Sequence, residues 1–256
     1  DNTYTGSTSI GAGSVVISND SPSQATSGYS GAGSLRIEPT SDSFSSQLTL
    51  SGWTFDSDLG GLTVGSATNT ANITIDSTIA IAGPISMYGG SISIDGNIDT
   101  SNAGVVGDVL LKGAGDVALQ RGHSITTSGG DVILWSNSDG GGSSGGVFLR
   151  SASSITTGSG SVVGGHVWIG GSASSGGSTT WNGITVGDGY AVPGTGITPL
   201  SGNAGRGGVY VEETAEVMSF GGDISINAGT GETSNYALFT YGEVTLNSGA
   251  GTVSID

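Results

Sequence analysis

Several aspartates of this chain stand directly before short apolar runs: Asp108, Asp131 and Asp223. A carboxylate at a chain corner accepts hydrogen bonds from backbone N–H groups, and carboxylates from several corners can together bind calcium. The repeat of calcium-binding solenoids, G-G-x-G-x-D-x-φ-x with φ apolar, is matched only loosely at residues 113–117, with Asp116 one place early. These aspartates therefore indicate corner caps, with calcium binding as the alternative, and we predict no cofactor and no metal site.

The same carboxylates invite a comparison with enzymes that cleave polysaccharides. A glycosidase needs two carboxylates on one face, and a lyase needs a calcium site with a lysine or arginine base. Asp108, Asp116 and Asp131 could stack on adjacent turns of the chain, with Lys112 and Arg121 nearby. Nothing else in the sequence marks a catalytic centre. We therefore predict that the chain is not an enzyme and assign no catalytic residue.

Two histidines are the remaining candidate metal ligands. His123 and His166 lie far apart in the sequence, and no histidine or cysteine stands at ligand spacing from either of them. Zinc sites need such partners. Both histidines are therefore predicted to be surface or corner residues.

Aromatic and cationic residues in irregular segments are candidates for contact with a ligand. Trp53 and Phe55 lie near two aspartates and are predicted either to pack at the end of a coil or to form a platform for sugars. Rigid scaffolds tend to carry function on loops, and the segment 187–206 holds a tyrosine and an arginine among its prolines. The residues predicted to bind a ligand are Tyr190, Arg206, Trp53 and Trp181.

A repeat of short apolar runs must position these residues. The segment Ser124–Thr127, which reads SITT, returns as SITT at Ser154–Thr157, and short apolar runs separated by glycine and serine follow each copy. One of these runs is Val162-Val163. Self-similarity at this period indicates stacked units that bury their apolar faces against one another. The pattern predicts an all-β, right-handed parallel β-helix of about ten coils, each of roughly 20–30 residues.

Two further periodic features support stacked coils. Gly-Gly pairs precede apolar runs at several points, and glycine suits a sharp corner because it has no β-carbon. A slow period of isoleucines predicts equivalent positions in successive coils: Ile98, Ile125, Ile155 and Ile184.

The amino-acid composition argues against several classes of binding partner. The net charge is −16, so binding to nucleic acid or to anionic membrane surfaces is not expected. No run of about 18 apolar residues is present, so direct insertion into a membrane is not predicted. Cysteine is absent, and a long β-stack does not need disulfides.

The chain is predicted to form one β-helical segment, residues 1–256, with loops projecting near 19–34 and 187–206. Both ends start or stop within the repeat pattern without a cap. We therefore expect a fragment of a larger repetitive protein, flanked by further repeats of the same chain.

The amino-terminal residues resemble a known repeat. Residues 3–17 read TYTGSTSIGAGSVVI, which resembles the passenger-associated transport repeat of bacterial autotransporters, YTG-x-T-x-I-x-x-G-x-L/V. With the Gly-Gly-Asp strands and the SITT corners, the chain resembles the filamentous-haemagglutinin-like exoproteins and autotransporter passengers of Gram-negative bacteria. Only residues 3–17 match a named motif, whereas the likeness of the remainder is one of repeat style.

This resemblance implies a secreted or surface-anchored structural and adhesive segment, a stalk outside the outer membrane that presents binding loops. Its expected partners are host or neighbouring cells, other surfaces and glycans, and the family supplies no catalytic residue. The alternative is a β-helix protein that binds or degrades polysaccharide.

Overall fold

The computed structural model shows a chain built almost entirely from short β-strands. The described residues contain no α-helix. They are 6–23, 28–102, 106–139, 145–171, 179–181, 184–186, 191, 208–229 and 237–256.

Within the described residues, most strands belong to three long parallel sheets. Sheet 1 has nine strands: β2 (Ser14–Ser18), β4 (Ser34–Glu38), β6 (Gly61–Val64), β9 (Ile85–Gly89), β12 (Val109–Gly113), β15 (Val132–Ser136), β18 (Val167–Gly171), β23 (Ile224–Ile226) and β26 (Val253–Ile255). Sheet 2 has seven: β5 (Leu48–Thr49), β7 (Ile73–Ile75), β10 (Ile92–Ile94), β13 (Val117–Leu119), β16 (Val147–Leu149), β21 (Val209–Val211) and β24 (Leu238–Thr240). Sheet 3 has six: β8 (Ile79–Ala80), β11 (Ile98–Asp99), β14 (Ser124–Thr126), β17 (Ser154–Thr156), β22 (Glu216–Met218) and β25 (Thr245–Asn247).

Successive strands visit the three sheets in turn, which makes each circuit of the chain one coil. From β12 in sheet 1 the chain passes to β13 in sheet 2, then to β14 in sheet 3, and returns to sheet 1 as β15. Strand β15 pairs with β12 in parallel register, with Val109 opposite Val132. The predicted parallel β-helix is therefore confirmed.

Alternating side chains explain why these short runs form strands around a dry interior. In β10, Ile92 and Ile94 are fully buried, whereas Ser93 between them faces outward and is half-buried. Neighbouring side chains of a strand point to opposite faces, so this alternation lines the interior with aliphatic groups. Burying each such side chain contributes about 1.5–3 kcal/mol, and successive coils repeat that contribution.

Coil length departs from the prediction in the second half of the chain. The step between equivalent residues of sheet 1 is 23 residues from Val109 to Val132, 35 from Val132 to Val167, and 57 from Val167 to Ile224. The last two steps exceed the expected 20–30 residues. In the 35-residue step the extra residues lie both between sheets 1 and 2 and between sheets 3 and 1, whereas in the 57-residue step they lie between sheets 1 and 2. The strands on both sides still pair in register.

The predicted isoleucine period ends at Ile155. Its partner in the next coil is Val217, whereas Ile184 lies in β20 (Ile184–Val186), which pairs antiparallel with β19 (Thr179–Trp181). The prediction for Ile184 is therefore wrong. Equal spacing is misleading here, because the chain adds this strand pair before it resumes the coil.

Two other local expectations need adjustment. Val162-Val163 forms no strand: Val162 makes one isolated bridge with Ser159, and the Val163 side chain is 77% exposed. In the segment 19–34, Tyr29–Ser30 forms β3, which pairs in parallel with β1 (Thr8–Ser9). That part of the predicted loop belongs to the stack.

The corner between sheet 3 and sheet 1, called here corner 3–1, is closed by a buried hydroxyl in each of five coils. The Thr127 hydroxyl donates to the Gly130 carbonyl at 2.6 Å, and the Thr157 hydroxyl donates to the Gly165 carbonyl at the same distance. The last threonine of each SITT repeat thus binds a glycine two residues before the next strand of sheet 1. The residues that make this bond are Thr100, Thr127, Thr157, Ser219 and Ser248.

Glycine is required at corner 3–1 because successive backbones approach closely there. A β-carbon on Gly222 would overlap the backbone carbonyl of Gly165 in the coil below. The Gly-Gly pairs before sheet 1 therefore have a steric reason, in agreement with their predicted place at corners.

Candidate functional site

Among the predicted ligand-binding residues, Trp53 has a fully described environment. Its side chain is only 6% exposed, and its ring stacks with Tyr29 and Phe55 at centroid distances of 6.0 and 6.3 Å. A buried indole packed in this way stabilises the first coils and leaves little surface for a sugar. The geometry favours the packing interpretation over the platform.

For the other three predicted residues the structure describes a backbone at most. Tyr190 and Arg206 lie outside the described residues, as does the segment 187–206 except for Ala191, which is buried and bridges Ala228. Trp181 ends β19, and only its backbone is described. The structure therefore does not bring the four predicted residues together in one described site.

The aspartates before sheet 1 cap corners, as the sequence predicts. The Asp131 N–H donates to the Asp108 carboxylate at 2.8 Å, and the His166 N–H donates to the Asp131 carboxylate at 2.7 Å. The side chain of one coil thus accepts the backbone N–H at the same position of the next coil. These oxygens meet the hydrogen-bonding need of the backbone.

His166 continues this series in place of an aspartate. Its Nδ1 accepts the Asp223 N–H at 2.9 Å, and the Asp223 carboxylate accepts the Thr252 N–H at 2.8 Å. We call the four accepting side chains, Asp108, Asp131, His166 and Asp223, the corner ladder. Within the described part of the chain, no group of three or more His, Asp or Glu side chains could hold a metal ion.

Burial sets the ionisation of two carboxylates near these corners. It raises the pKa of Asp131, although the N–H and charge of His166 oppose the shift. It also raises the pKa of Asp116, against the Gly146 N–H that this carboxylate accepts at 2.7 Å. Both groups are tied to backbone, so their chemistry is structural.

A groove lies at the opposite ends of the sheet 1 strands, at the corner between sheets 1 and 2, called here corner 1–2. Its volume is about 470 Å³, within the range of small-ligand sites, about 300–1,000 Å³. Five consecutive coils contribute to its wall. The polar and aromatic lining residues are Asp42, Ser43, Ser66, Thr68, Asn69, Thr70, Tyr88, Lys112, Ser138 and Asp139.

Asn69 organises the wall of the groove. Its side chain is buried and donates to the Tyr88 carbonyl at 2.8 Å, while its Oδ1 accepts the Ser43 hydroxyl at 2.9 Å and the Phe44 N–H at 3.2 Å. One side chain thus joins three consecutive coils. A wall with satisfied internal hydrogen bonds is fixed before any ligand arrives.

Lys112 supplies the positive charge of the groove. It pairs with Tyr88 on one side and Trp135 on the other, so these three outward side chains form a column along sheet 1. The Lys112 Nζ lies 4.0 Å from the centre of the Trp135 ring, a cation–π contact. Burial lowers the pKa of Lys112.

The arginines in the described part of the chain have carboxylate partners. Arg36 lies 2.9 Å from Glu38, and Glu212 lies 2.8 Å from Arg150 and 3.8 Å from Arg121. Lys112 has no carboxylate within 4 Å among the described residues. An ammonium with no carboxylate in contact is notable in a chain of net charge −16.

The outward aromatic residues beside the groove are packed. Trp135 and Trp168 meet edge to face at 5.8 Å, and Leu110, Ile133 and Val186 join them in one buried cluster on the outer side of sheet 1. Trp168 is therefore not an open platform for sugars. Half-buried Tyr88 packs against this cluster and also lines the groove.

Sequence reasoning missed the groove because its wall comes from residues of unremarkable type in five coils. Asn69, in the segment TNTAN, has no local signal of its role. From the sequence alone, Lys112 is a candidate only for a catalytic base beside aspartates. Its outward place in register with Tyr88 and Trp135 could have been found by aligning the coils of sheet 1.

Comparison with known proteins suggests no function, so any proposal must rest on the fold and the groove. No protein-family model, curated protein or solved structure matches the chain. In the described residues, no helix has the length and apolar character needed to cross a bilayer.

Proposed function

We propose that the chain is a structural and adhesive segment of a secreted or surface-anchored bacterial exoprotein, similar in kind to filamentous-haemagglutinin-like proteins and autotransporter passengers. In this role it is a rigid stalk outside the outer membrane that attaches to cells, surfaces or glycans. The observation that carries the proposal is the uninterrupted parallel stack. Each coil supports the next, so the segment can hold a binding surface away from its anchor.

Two features support a role in which the scaffold stays rigid. The corner ladder and the buried hydroxyls of corner 3–1 tie neighbouring coils through side chains as well as through strand pairing. Corner 1–2 contains the groove and accommodates the longest additions to the coil. Binding surfaces on loops at the side of a rigid frame are common in such architectures.

Attachment can be tested with beads that carry the purified protein. The beads should adhere to some members of a panel of epithelial cells and immobilised glycans, and free protein should compete with them. Beads coated with unfolded protein provide the control. Failure of the folded protein to attach to every surface in the panel would argue against an adhesive role.

Polysaccharide degradation is the second candidate, and the groove favours it because Lys112, Asp42 and Asp139 all line it. A lyase would release products with an unsaturated bond that absorbs in the ultraviolet, and a hydrolase would release new reducing ends. Incubation with acidic and neutral polysaccharides distinguishes the two candidates. Turnover that disappears in the Lys112→Met variant would support the enzyme, whereas binding without turnover supports adhesion.

A further inference from the structure

We propose that the groove at corner 1–2 binds a sugar acid, with the Lys112 ammonium receiving its carboxylate. This deepens the proposed function, on which it rests, by naming the ligand class and the residue that selects it. The groove has the volume of a small-ligand site and opens to solvent beside sheet 1.

The contacts of the Lys112 ammonium support binding of a carboxylate. Its ammonium is held over the Trp135 ring, and among the described residues it has no hydrogen bond or ion pair with a carboxylate. An ammonium has three N–H donors, which the face of one ring cannot satisfy. A carboxylate from a ligand would supply both the acceptors and the counter-charge.

The neighbours of Lys112 restrict the anion to one with a single charge and several hydroxyl groups. Asp42 and Asp139 also line the groove, so polyanions such as nucleic acids or heavily sulfated chains would meet repulsion there and from the net charge of −16. A carboxylate can accept hydrogen bonds from sugar hydroxyls. The Tyr88 ring adds an aromatic surface of the kind that packs against sugar rings.

The fixed wall favours binding without rearrangement. The hydroxyl of Ser43 and the amide of Asn69 are engaged with each other and with backbone, and Thr68 donates to the Asp42 carbonyl at 2.9 Å. These groups set the shape of the groove and do not have to be ordered by the ligand. Binding to a preorganised site loses less conformational entropy.

Isothermal titration with two matched probes tests the proposal: D-galacturonate, a hexuronate with a single carboxylate, and D-galactose, its neutral counterpart. The protein should bind galacturonate at least about 10-fold more tightly than galactose, and added salt should weaken that binding. Lys112→Met keeps an unbranched stem against Trp135 and should weaken binding of the hexuronate about 10-fold or more. Arg36→Ala removes one positive charge from the same sheet outside the groove and should leave the affinity within about 2-fold.

The results separate this inference from the adhesive role. Equal affinity of the wild type and Lys112→Met for galacturonate overturns the assignment, as does equal binding of the two probes or no binding of the hexuronate at all. Beads that still attach to cells while any of these results holds would leave the adhesive role standing. Beads that attach to nothing would remove the proposed function itself.

Discussion

Corner 3–1 and corner 1–2 lie at opposite ends of the same strands of sheet 1, and they are built differently. At corner 3–1 a buried hydroxyl binds a glycine carbonyl whether the hydroxyl precedes its acceptor by three residues, as in Thr127 and Gly130, or by eight, as in Thr157 and Gly165. At corner 1–2 no side-chain bond recurs in every described coil. There the chain ranges from the tight turn after β12 to the long additions after β15 and β18.

The two corners contribute different properties to one stack: corner 3–1 repeats its bonds from coil to coil, whereas corner 1–2 varies. A bond that recurs in five coils requires a hydroxyl and a glycine in each of them, so in those coils corner 3–1 is confined to threonine or serine followed by glycine. Corner 1–2 has no such requirement and can hold different side chains in each coil. The groove lies at the corner where residue type is free to change.

The largest effect should come from adding one methyl group to corner 3–1. In Gly222→Ala the new β-carbon meets the Gly165 carbonyl, which is backbone and cannot rotate away. We expect a loss of about 4 kcal/mol or more in the free energy of unfolding, or failure to fold. Urea unfolding followed by circular dichroism measures the change.

Gly160→Ala is the matched control, because a β-carbon there has no neighbour within 4 Å. Its unfolding free energy should stay within about 0.5 kcal/mol of the wild type, as for most surface substitutions. Equal effects of the two variants would contradict the close approach of coils at corner 3–1.

The next effect concerns the corner ladder. Asp131→Ala leaves the part-buried His166 N–H without its acceptor and should cost about 1–2 kcal/mol. Asp131→Asn keeps an oxygen at that position and should cost much less. Thermal unfolding at pH 7 compares the two variants, and an equal loss in both would show that charge, rather than hydrogen bonding, holds the ladder.

Ionisation of Asp131 should make the stability of the folded protein depend on pH. Burial raises the pKa of this group above its ordinary value of 3.8, so the folded protein binds the proton more tightly than the unfolded chain. The stabilising contribution is then full below pH 3.8 and is lost as the pH rises through the raised pKa. Asparagine does not ionise, so Asp131→Asn should gain stability relative to the wild type from pH 3.5 to pH 7.

A smaller effect is expected at the buried hydroxyls. Thr157→Val keeps the shape of the side chain but removes the donor to the Gly165 carbonyl, at a cost of about 1 kcal/mol. Thr157→Ser should be tolerated better, because Ser219 makes the equivalent bond in the next coil. Chemical unfolding of both variants tests whether the hydroxyl or the methyl group matters.

The sequence is sufficient to predict the features that repeat. Alternation such as Ile92-Ser93-Ile94 indicates strands with one apolar side, and Asp131 before an apolar run indicates a corner cap, since each signal lies within a few residues. Ile184 was misplaced because spacing alone cannot distinguish another coil from an added strand pair. Lys112 became a site residue only through its neighbours in adjacent coils, and such proximity depends on register.

The smallest effect should come from corner 1–2, where Lys112→Met tests whether the groove contributes to stability. Two effects oppose each other at this residue: the Trp135 ring favours the ammonium by about 0.5–1 kcal/mol, whereas burial disfavours it. Burial lowers the pKa of Lys112, so the buried position disfavours the charged form. Methionine avoids the cost of burying a charge, so at pH 7 the unfolding free energy should stay within about 0.5 kcal/mol of the wild type or rise slightly.

The difference in unfolding stability between Lys112→Met and the wild type should also depend on pH. Because the pKa of Lys112 is lower in the folded protein than its ordinary value of 10.5, the wild type should gain stability relative to Lys112→Met as the pH rises from the lowered pKa towards 10.5. Urea midpoints at pH 7, 9 and 10.5 measure this gain. A loss above 2 kcal/mol at pH 7 would mean that Lys112 supports the stack as corner 3–1 does, and the division between a structural corner and a variable one would not hold.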